Sequence, residues 1–293
     1  MRWKRGHTGG IEDRRGAGGA RMGGLGGLPI GIGGGGGIIV LIIIIAMQLF
    51  GGGIGGGSGT PGSALDPFGG AAPAGPAGSV DLTNEGDQVE FMGYVLDDAN
   101  ALWADVFQRA NREYQPTTLV LFTNSVQSGC GAASSQTGPF YCPLDRKIYI
   151  DLDFFDELSR RFGAPGDFAQ AYVLAHEVAH HVQTVLGINE QVRNEQQSNP
   201  SRANELSVAM ELQADCLAGV WAQSVFEQGD LESGDLEEGL RAASAVGDDR
   251  IQESMGGAVN PETWTHGSAE QRSTWFRRGF DTADPAACDT FGS

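Results

Sequence analysis

The chain has 293 residues, 46 of them glycine, and a formal net charge of -18 at pH 7. This length allows one large domain or two modest ones. The acidic residues lie almost all after residue 21. A body this acidic argues against nucleic acid as a partner, because it repels the phosphate backbone.

The first 80 residues predict a tail, a membrane segment and a linker. Residues 1–21 are mainly basic and lack a periodic apolar pattern, which favours a disordered tail, and we assign residues 1–27 as a cytoplasmic basic tail. Residues 28–54 carry no charged side chain and include an apolar run at 38–50, long enough for one transmembrane helix. Residues 55–80 are rich in Gly, Pro, Ala and Ser, which is typical of a flexible linker.

The charges on either side of residues 28–54 predict an orientation. Basic residues precede this segment and an acidic body follows it. The positive-inside rule then predicts a single-pass cell-membrane protein with a cytoplasmic N-terminus and an extracytoplasmic domain. A cleaved signal peptide is the alternative. A retained anchor is favoured, because the stretch before the apolar core is unusually long and no small-residue cleavage site follows closely.

Residues 81–293 predict one mainly helical α+β domain with a small sheet. Runs of β-branched and apolar residues predict strands at 117–123 and 147–152. Apolar periodicity and capping residues predict helices at about 97–114, 154–162, 167–186, 199–226, 235–246 and 268–278. The edge of the second strand, at residues 149–152, either aligns a substrate strand or belongs to the core.

A His-Glu-x-x-His motif lies within the helix expected at 167–186. Residues four apart share a helix face, so His176 and His180 can bind one metal ion, with Glu177 beside its water ligand. Zinc suits two imidazoles, and a catalytic zinc site has three protein ligands and one position for water. The alternative is a pair of surface histidines. The motif thus predicts one Zn²⁺ ion and requires a third ligand.

The third ligand is expected from the helix at 199–226. Glu211 and Asp215 are four residues apart within an apolar run, so they share an inward face, where a buried carboxylate needs a partner. The simplest assignment makes Glu211 the ligand and Asp215 the acceptor of a ligand histidine's second ring N–H. An acidic pair at the helix surface is the alternative. Glu205 is a competing ligand, although it lacks a carboxylate four residues further on.

This arrangement predicts hydrolysis assisted by a glutamate. Glu177 takes a proton from zinc-bound water as the water attacks a peptide carbonyl, and then passes the proton to the leaving amine. His266 lies in a loop before a predicted helix start, where it either hydrogen-bonds the oxyanion of the tetrahedral intermediate or is a surface residue. His181 points away from His180 on the helix and is expected only to pack.

These motifs resemble those of known zinc peptidases. His-Glu-x-x-His followed by Glu-x-x-x-Asp resembles the gluzincin class, which includes thermolysin. A Thr-His pair with an arginine downstream is distantly similar to Ste24/HtpX-type peptidases. The domain from about residue 85 onward resembles the bacterial neutral zinc metallopeptidase family, on segments 128–131, 138–143, 149–152, 176–183, 211–216 and 288–291. The resemblance implies a zincin-like fold and a zinc peptidase site at His176, Glu177, His180 and Glu211. It also makes His266 and Arg272 candidate catalytic residues.

Four cysteines allow three disulfide pairings. We expect Cys130–Cys142, which closes a short loop, and Cys216–Cys288, which ties the C-terminal residues to the helix of Glu211. An extracytoplasmic domain permits both disulfides. Cysteine ligands for zinc are the alternative, which is disfavoured because the chain has no Cys-x-x-Cys pair.

The sequence therefore predicts a membrane-anchored zinc metallopeptidase that hydrolyses bonds in a peptide or protein substrate. A catalytically silent zinc-binding domain that serves as an interaction scaffold is the alternative, but such a domain would not need Glu177. Hydrolysis of a non-peptide amide is a third and weaker interpretation.

Overall fold

In the computed structural model of the protein, residues 1–16, 85–254, 256 and 258–292 are described. Their helices are α1 (Glu85–Arg109), α2 (Asp153–Arg160), α3 (Asp167–Leu186), α4 (Ile188–Ser198), α5 (Ala203–Gln228), α6 (Asp235–Ala245), α7 (Asp248–Ser254) and α8 (Ala269–Thr282). Their strands are β1 (Ile11–Asp13), β2 (Thr118–Phe122), β3 (Ser125–Ser128), β4 (Gly131–Ser134), β5 (Phe140–Cys142) and β6 (Lys147–Asp151). The protein is mainly helical with a small sheet, so the predicted α+β class is confirmed.

Four strands form one sheet in the order β1-β2-β6-β5. β2 pairs in parallel with both β1 and β6, whereas β5 pairs antiparallel to β6. β6 is thus bonded on both sides. This holds for Lys147–Tyr149, which pair with β5, whereas Ile150 and Asp151 pair only with β2 among the described strands. Alignment of a substrate strand along residues 149–152 therefore stays a prediction.

Several elements differ from those expected, for two physical reasons. α1 begins at Glu85 rather than near residue 97. Its first half was not predicted because the residues from Phe91 to Leu96 form a continuous buried run, which shows no helical period. α4 was not expected because Val192 is its single buried residue, so it also lacks a clear apolar stripe. The loop expected between Cys130 and Cys142 contains β4 and opens into β5, and β3 pairs with β4 as a short hairpin.

Helix α5 lies against α8 at a very short distance. A Cβ atom added to Gly219 would lie 2.0 Å from the Phe276 carbonyl oxygen, and one on Gly279 would lie 1.8 Å from the Cys216 carbonyl oxygen. Glycine is thus required on both helices at this crossing. The Cys216–Cys288 disulfide ties the C-terminal residues to the same part of α5, and Cys130–Cys142 is also formed. Both predicted disulfides are confirmed.

Residues 1–16 are a folded part of the domain. β1 adds a strand beside β2, Met1 is buried in the main hydrophobic core, and the Trp3 ring contacts the Phe91 ring edge-on at 5.6 Å. The prediction of a disordered tail is therefore wrong for these residues. The sequence did not indicate this packing, because three residues are too few to show a strand pattern and their partner lies more than 100 residues away in the chain.

The predicted transmembrane segment, residues 28–54, and the predicted linker, residues 55–80, lie outside the described residues. Within the part of the chain that the structure describes, no helix is both long and apolar enough to cross a membrane.

Candidate metal centre

Helix α3 presents the two motif histidines on one buried face. The ring centroids of His176 and His180 are 4.7 Å apart and their planes are nearly perpendicular, as expected for side chains one helical turn apart. Both are more than nine-tenths buried, and so is Glu177 between them. α3 ends at Gly187, which has a φ of +80° and accommodates the left-handed residue that terminates the helix. The motif therefore lies in the rigid interior of a capped helix.

Helix α5 brings Glu211 to the open ring nitrogens of both histidines. Glu211 Oε2 lies 3.2 Å from His176 Nε2, and Glu211 Oε1 lies 3.5 Å from His180 Nε2. The donor atoms of the three residues all lie within 4.8 Å of one another. Ligands bound tetrahedrally to zinc at about 2.1 Å are separated by about 3.4 Å. The three predicted ligands are therefore brought together, and both His–Glu separations are close to the one that zinc requires.

The other ring nitrogen of each histidine is bound to an acceptor. His176 Nδ1 lies 2.9 Å from Asp215 Oδ1, and His180 Nδ1 lies 2.8 Å from Gln183 Oε1. Each contact favours an N–H on Nδ1 and leaves the lone pair of Nε2 directed to the shared point. Gln183 is itself held, because its amide donates to the Met210 carbonyl oxygen at 2.8 Å. These acceptors thus fix the orientation of both histidine rings.

Asp215 is fully buried and lies at the centre of a hydrogen-bonded network. Arg272 donates to it from Nε at 2.8 Å and from Nη2 at 3.0 Å, and the Tyr172 hydroxyl also donates to it. Arg272 is itself only 3% exposed and its Nη1 donates to the Val246 carbonyl oxygen. This placement favours a positioning role for Arg272, through Asp215 on His176, over the predicted catalytic role.

His266 is held by a carboxylate that the sequence did not point to. Asp248 Oδ2 accepts from the backbone N–H groups of Thr265, His266 and Gly267, and Asp248 Oδ1 lies 3.1 Å from His266 Nδ1. Burial lowers the pKa of His266, but Asp248 and the nearby Glu211 outweigh this and raise it above its ordinary value. The loop before α8 is therefore anchored with His266 in the electrostatic field of the centre.

The charges in this centre favour a cation between the ligands. Burial opposes the charged form of His176, but Asp215 and Glu211 outweigh it and raise its pKa to about 9. Burial likewise opposes the carboxylate of Glu211, yet His180 and His176 hold its pKa well below the usual range. Burial raises the pKa of Glu177. A divalent metal ion would supply the positive charge that this donor set stabilises.

His181, which directly follows the motif, packs as predicted. His181 is fully buried, with Nδ1 3.0 Å from the Tyr141 hydroxyl and Nε2 2.6 Å from the Gln115 carbonyl oxygen. It thereby joins α3 to β5 and to the segment before β2. Glu205, the competing ligand, lies exposed on α5 and is paired with Arg202 at 2.8 Å, so it does not contribute to this centre.

Comparison with known protein families and relatives agrees with these motifs. The family model described as "Putative neutral zinc metallopeptidase" matches residues 1–291. The chain belongs to this family. The match includes residues 1–16 as well as the candidate metal centre, so both parts of the chain fall within the family's extent. The resemblance stated from the motifs is thus confirmed.

Relatives occur in two bacterial genera. The chain is 48% identical over 210 residues to the uncharacterized protein YpfJ of Escherichia coli (strain K12), covering 71% of this chain and 73% of the relative. It is 45% identical over 205 residues to the uncharacterized protein Rv2575 of Mycobacterium tuberculosis (strain H37Rv), covering 66% of this chain and 67% of the relative. No solved structure matches the chain significantly.

Sequence reasoning missed three residues that hold the centre. Tyr172 is four residues before His176, and Gln183 is three residues after His180, so both share the histidine face of α3 and helical spacing could have identified them. Asp248 has no such signal, because it lies in a short helix remote in sequence from both motifs. Its role depends on how α7 and α8 pack.

Proposed function

We propose that this protein is a zinc-dependent peptidase that hydrolyses peptide bonds through Glu177. The observation that carries the proposal is that the ligand atoms of His176, His180 and Glu211 lie within 4.8 Å of one another. Glu177 interacts electrostatically with all three residues. The zincin-like fold named by the resemblance is part of this proposal. So is the attachment of the protein to a membrane through residues 28–54.

Zinc, when bound, would lower the pKa of a water ligand and polarise the substrate carbonyl. The chain's own residues hold and move the protons. Glu177 is next in sequence to His176 and faces the same buried region, and its raised pKa makes it a better proton acceptor than an exposed glutamate. Its role is to accept the proton of the attacking water and to deliver that proton to the departing amine.

His266 is proposed to stabilise negative charge on the substrate carbonyl oxygen. Asp248 binds one side of its ring, and the raised pKa of His266 favours the protonated form that can donate from the other ring nitrogen. Arg272 and Asp215 act one step away, because they fix the ring of His176. The proposal thus assigns the base to Glu177, the hydrogen bond to the oxyanion to His266, and the positioning of His176 to Arg272 and Asp215.

The decisive experiment compares Glu177→Gln with the wild type on a denatured protein substrate, after both have been loaded with zinc. Glu177→Gln should retain zinc and lose activity by about 100-fold or more, because a general base typically contributes that factor. Glu190→Gln, on the exposed start of α4, is the matched control and should keep full activity.

Two results would contradict the proposal. Equal cleavage by Glu177→Gln and wild type would remove Glu177 from the mechanism. No cleavage by either protein, with one zinc bound in both, would favour the silent zinc-binding scaffold. Metal analysis of Glu211→Ala in parallel tests the ligand set, since a zinc content equal to the wild type would exclude Glu211 as a ligand.

A further inference from the structure

The N-terminal segment, defined as residues 1–16, lies on a surface formed by β2 and α1. On the sheet side, Ile11 is in register with Leu119 and Asp13 with Leu121. The backbone N–H of Leu119 donates to the Gly10 carbonyl oxygen at 3.0 Å, and that of Arg14 donates to the Leu121 carbonyl oxygen at 2.8 Å. The segment therefore covers the outer edge of β2, whose backbone groups would otherwise lack a partner strand.

On the helix side, α1 allows the segment to approach its backbone closely. Gly93 of α1 lies directly under the chain, because a Cβ atom there would be 1.5 Å from the His7 carbonyl oxygen. The His7 ring contacts the Tyr94 ring edge-on at 5.4 Å. A helix-interior glycine costs about 1 kcal/mol relative to alanine, so its presence here fits a position at which only glycine lets the segment approach.

The charges also match. The segment is basic and α1 begins acidic: Arg5 pairs with Asp87, and Arg15 lies 3.2 Å from Glu85. His7 Nδ1 lies 2.9 Å from Asp97 Oδ2. Exposed pairs of this kind each contribute little to stability. They add charge complementarity to the register that the β1–β2 pairing sets.

We propose that the N-terminal segment is an integral part of the metallopeptidase domain and lies on the same side of the membrane as that domain. The inference is independent of peptidase activity. Residues 28–54 separate the two parts in sequence, and a single crossing there would place them on opposite sides, where β1 and β2 could not pair. The structure thus favours an arrangement different from the one that the positive-inside rule predicts.

The first experiment measures the side of each part in the full-length chain. All four native cysteines are paired in disulfides, so an introduced cysteine is the sole free thiol. Thr8→Cys reports on the segment and Gln108→Cys, on the exposed face of α1, reports on the domain. Bacterial spheroplasts that produce each variant are treated with a membrane-impermeant maleimide before and after permeabilisation, with the wild type as background.

The same pattern for both cysteines supports the inference, whether both react in intact spheroplasts or both react only after permeabilisation. Opposite patterns would overturn it. Labelling of both cysteines in intact spheroplasts would place both parts outside the cytoplasm, and labelling of both only after permeabilisation would place both in the cytoplasm. Labelling of the wild type after permeabilisation would show that the native cysteines are reduced.

The second experiment tests the docking itself on the purified full-length protein. Trypsin should cut within the segment slowly in the wild type, and about tenfold or more faster in Gly93→Ala, because the added methyl group displaces His7. Gln108→Ala is the control on the same helix and should leave the segment protected. N-terminal mass mapping separates cuts in the segment from cuts in the domain. Equal, rapid cutting of the segment in all three proteins would overturn the docking.

Discussion

Replacing Asp215 with asparagine tests the buried network that holds the metal centre. Asp215 accepts two hydrogen bonds from Arg272, one from Tyr172 and one from His176, and it is inaccessible to solvent. Asparagine has nearly the same shape, but one of its two terminal groups is an N–H donor that would face other donors. The substitution therefore leaves the buried Arg272 guanidinium with only the more distant Glu211 carboxylate, 3.9 Å from Nη2, as a counter-ion among the described residues.

The expected loss of unfolding free energy is about 3–5 kcal/mol, the usual cost of removing one partner of a buried ion pair. For a domain of this size each kcal/mol lowers the melting temperature by about 2–4 °C, so we expect a fall of about 6–20 °C. The His176 ring also loses its acceptor, which should weaken zinc binding by about 10–100-fold.

Thermal unfolding followed by circular dichroism measures the stability change in the presence of a chelator, and competition with a chromophoric zinc ligand measures the affinity change. Asp98→Asn is the matched control. Among the described residues, its carboxylate accepts from the neutral Trp221 and Gln228 side chains, and burial raises its pKa. Its loss of charge should therefore cost under about 1 kcal/mol. An Asp215→Asn protein that is as stable as this control and binds zinc with wild-type affinity would refute the proposed role of the network in stabilising the fold and orienting His176.

Three further predictions concern packing, covalent links and pH. Gly279→Ala should destabilise the protein by about 1–3 kcal/mol or more, measured by urea unfolding, because the new Cβ would collide with the Cys216 carbonyl group; unchanged stability would mean that α5 and α8 are not this close. Replacing both Cys216 and Cys288 by serine should lower the free energy of unfolding by about 4 kcal/mol in the same assay, since their disulfide closes a loop of 72 residues. A smaller loss than that caused by removing the Cys130–Cys142 disulfide, which closes a loop of 12 residues, would contradict this. Burial and the adjacent Asp167 raise the pKa of Glu238 to about 7. Its ionisation therefore destabilises the fold as pH rises from about 4.5 to 7. Glu238→Gln should raise the melting temperature relative to the wild type at pH 8 but not at pH 4, and a pH-independent difference would refute the assignment.

Much of the metal centre follows from local sequence. Spacing of four residues places His176 with His180, and Glu211 with Asp215, because one helical turn returns to the same face. The caps of α3 and α8 also follow locally, since Gly187 and Ser268 meet a steric and a hydrogen-bonding need of the adjacent helix end. These features depend on a few consecutive residues and are visible without a fold.

Which residues support the centre was decided by tertiary packing. Nothing near Arg272 in sequence indicates that its guanidinium reaches Asp215, and nothing near Asp248 indicates that its carboxylate clamps the loop of His266. Such pairs depend on the approach of helices that are far apart in the chain. That approach is set by the shapes of whole helix faces, including the two glycines at which α5 and α8 meet.

The sequence by itself determined the family, the candidate metal ligands and the candidate base, because helical periodicity alone places the residues of His-Glu-x-x-His and Glu-x-x-x-Asp on shared helix faces. Only the tertiary structure decided that Arg272 binds Asp215 and that residues 1–16 complete the sheet. The basic N-terminal residues had the composition of a disordered tail, and their order comes from pairing with β2 and from the space above Gly93. Long-range backbone pairing leaves no local signal, since its partner can lie anywhere in the chain.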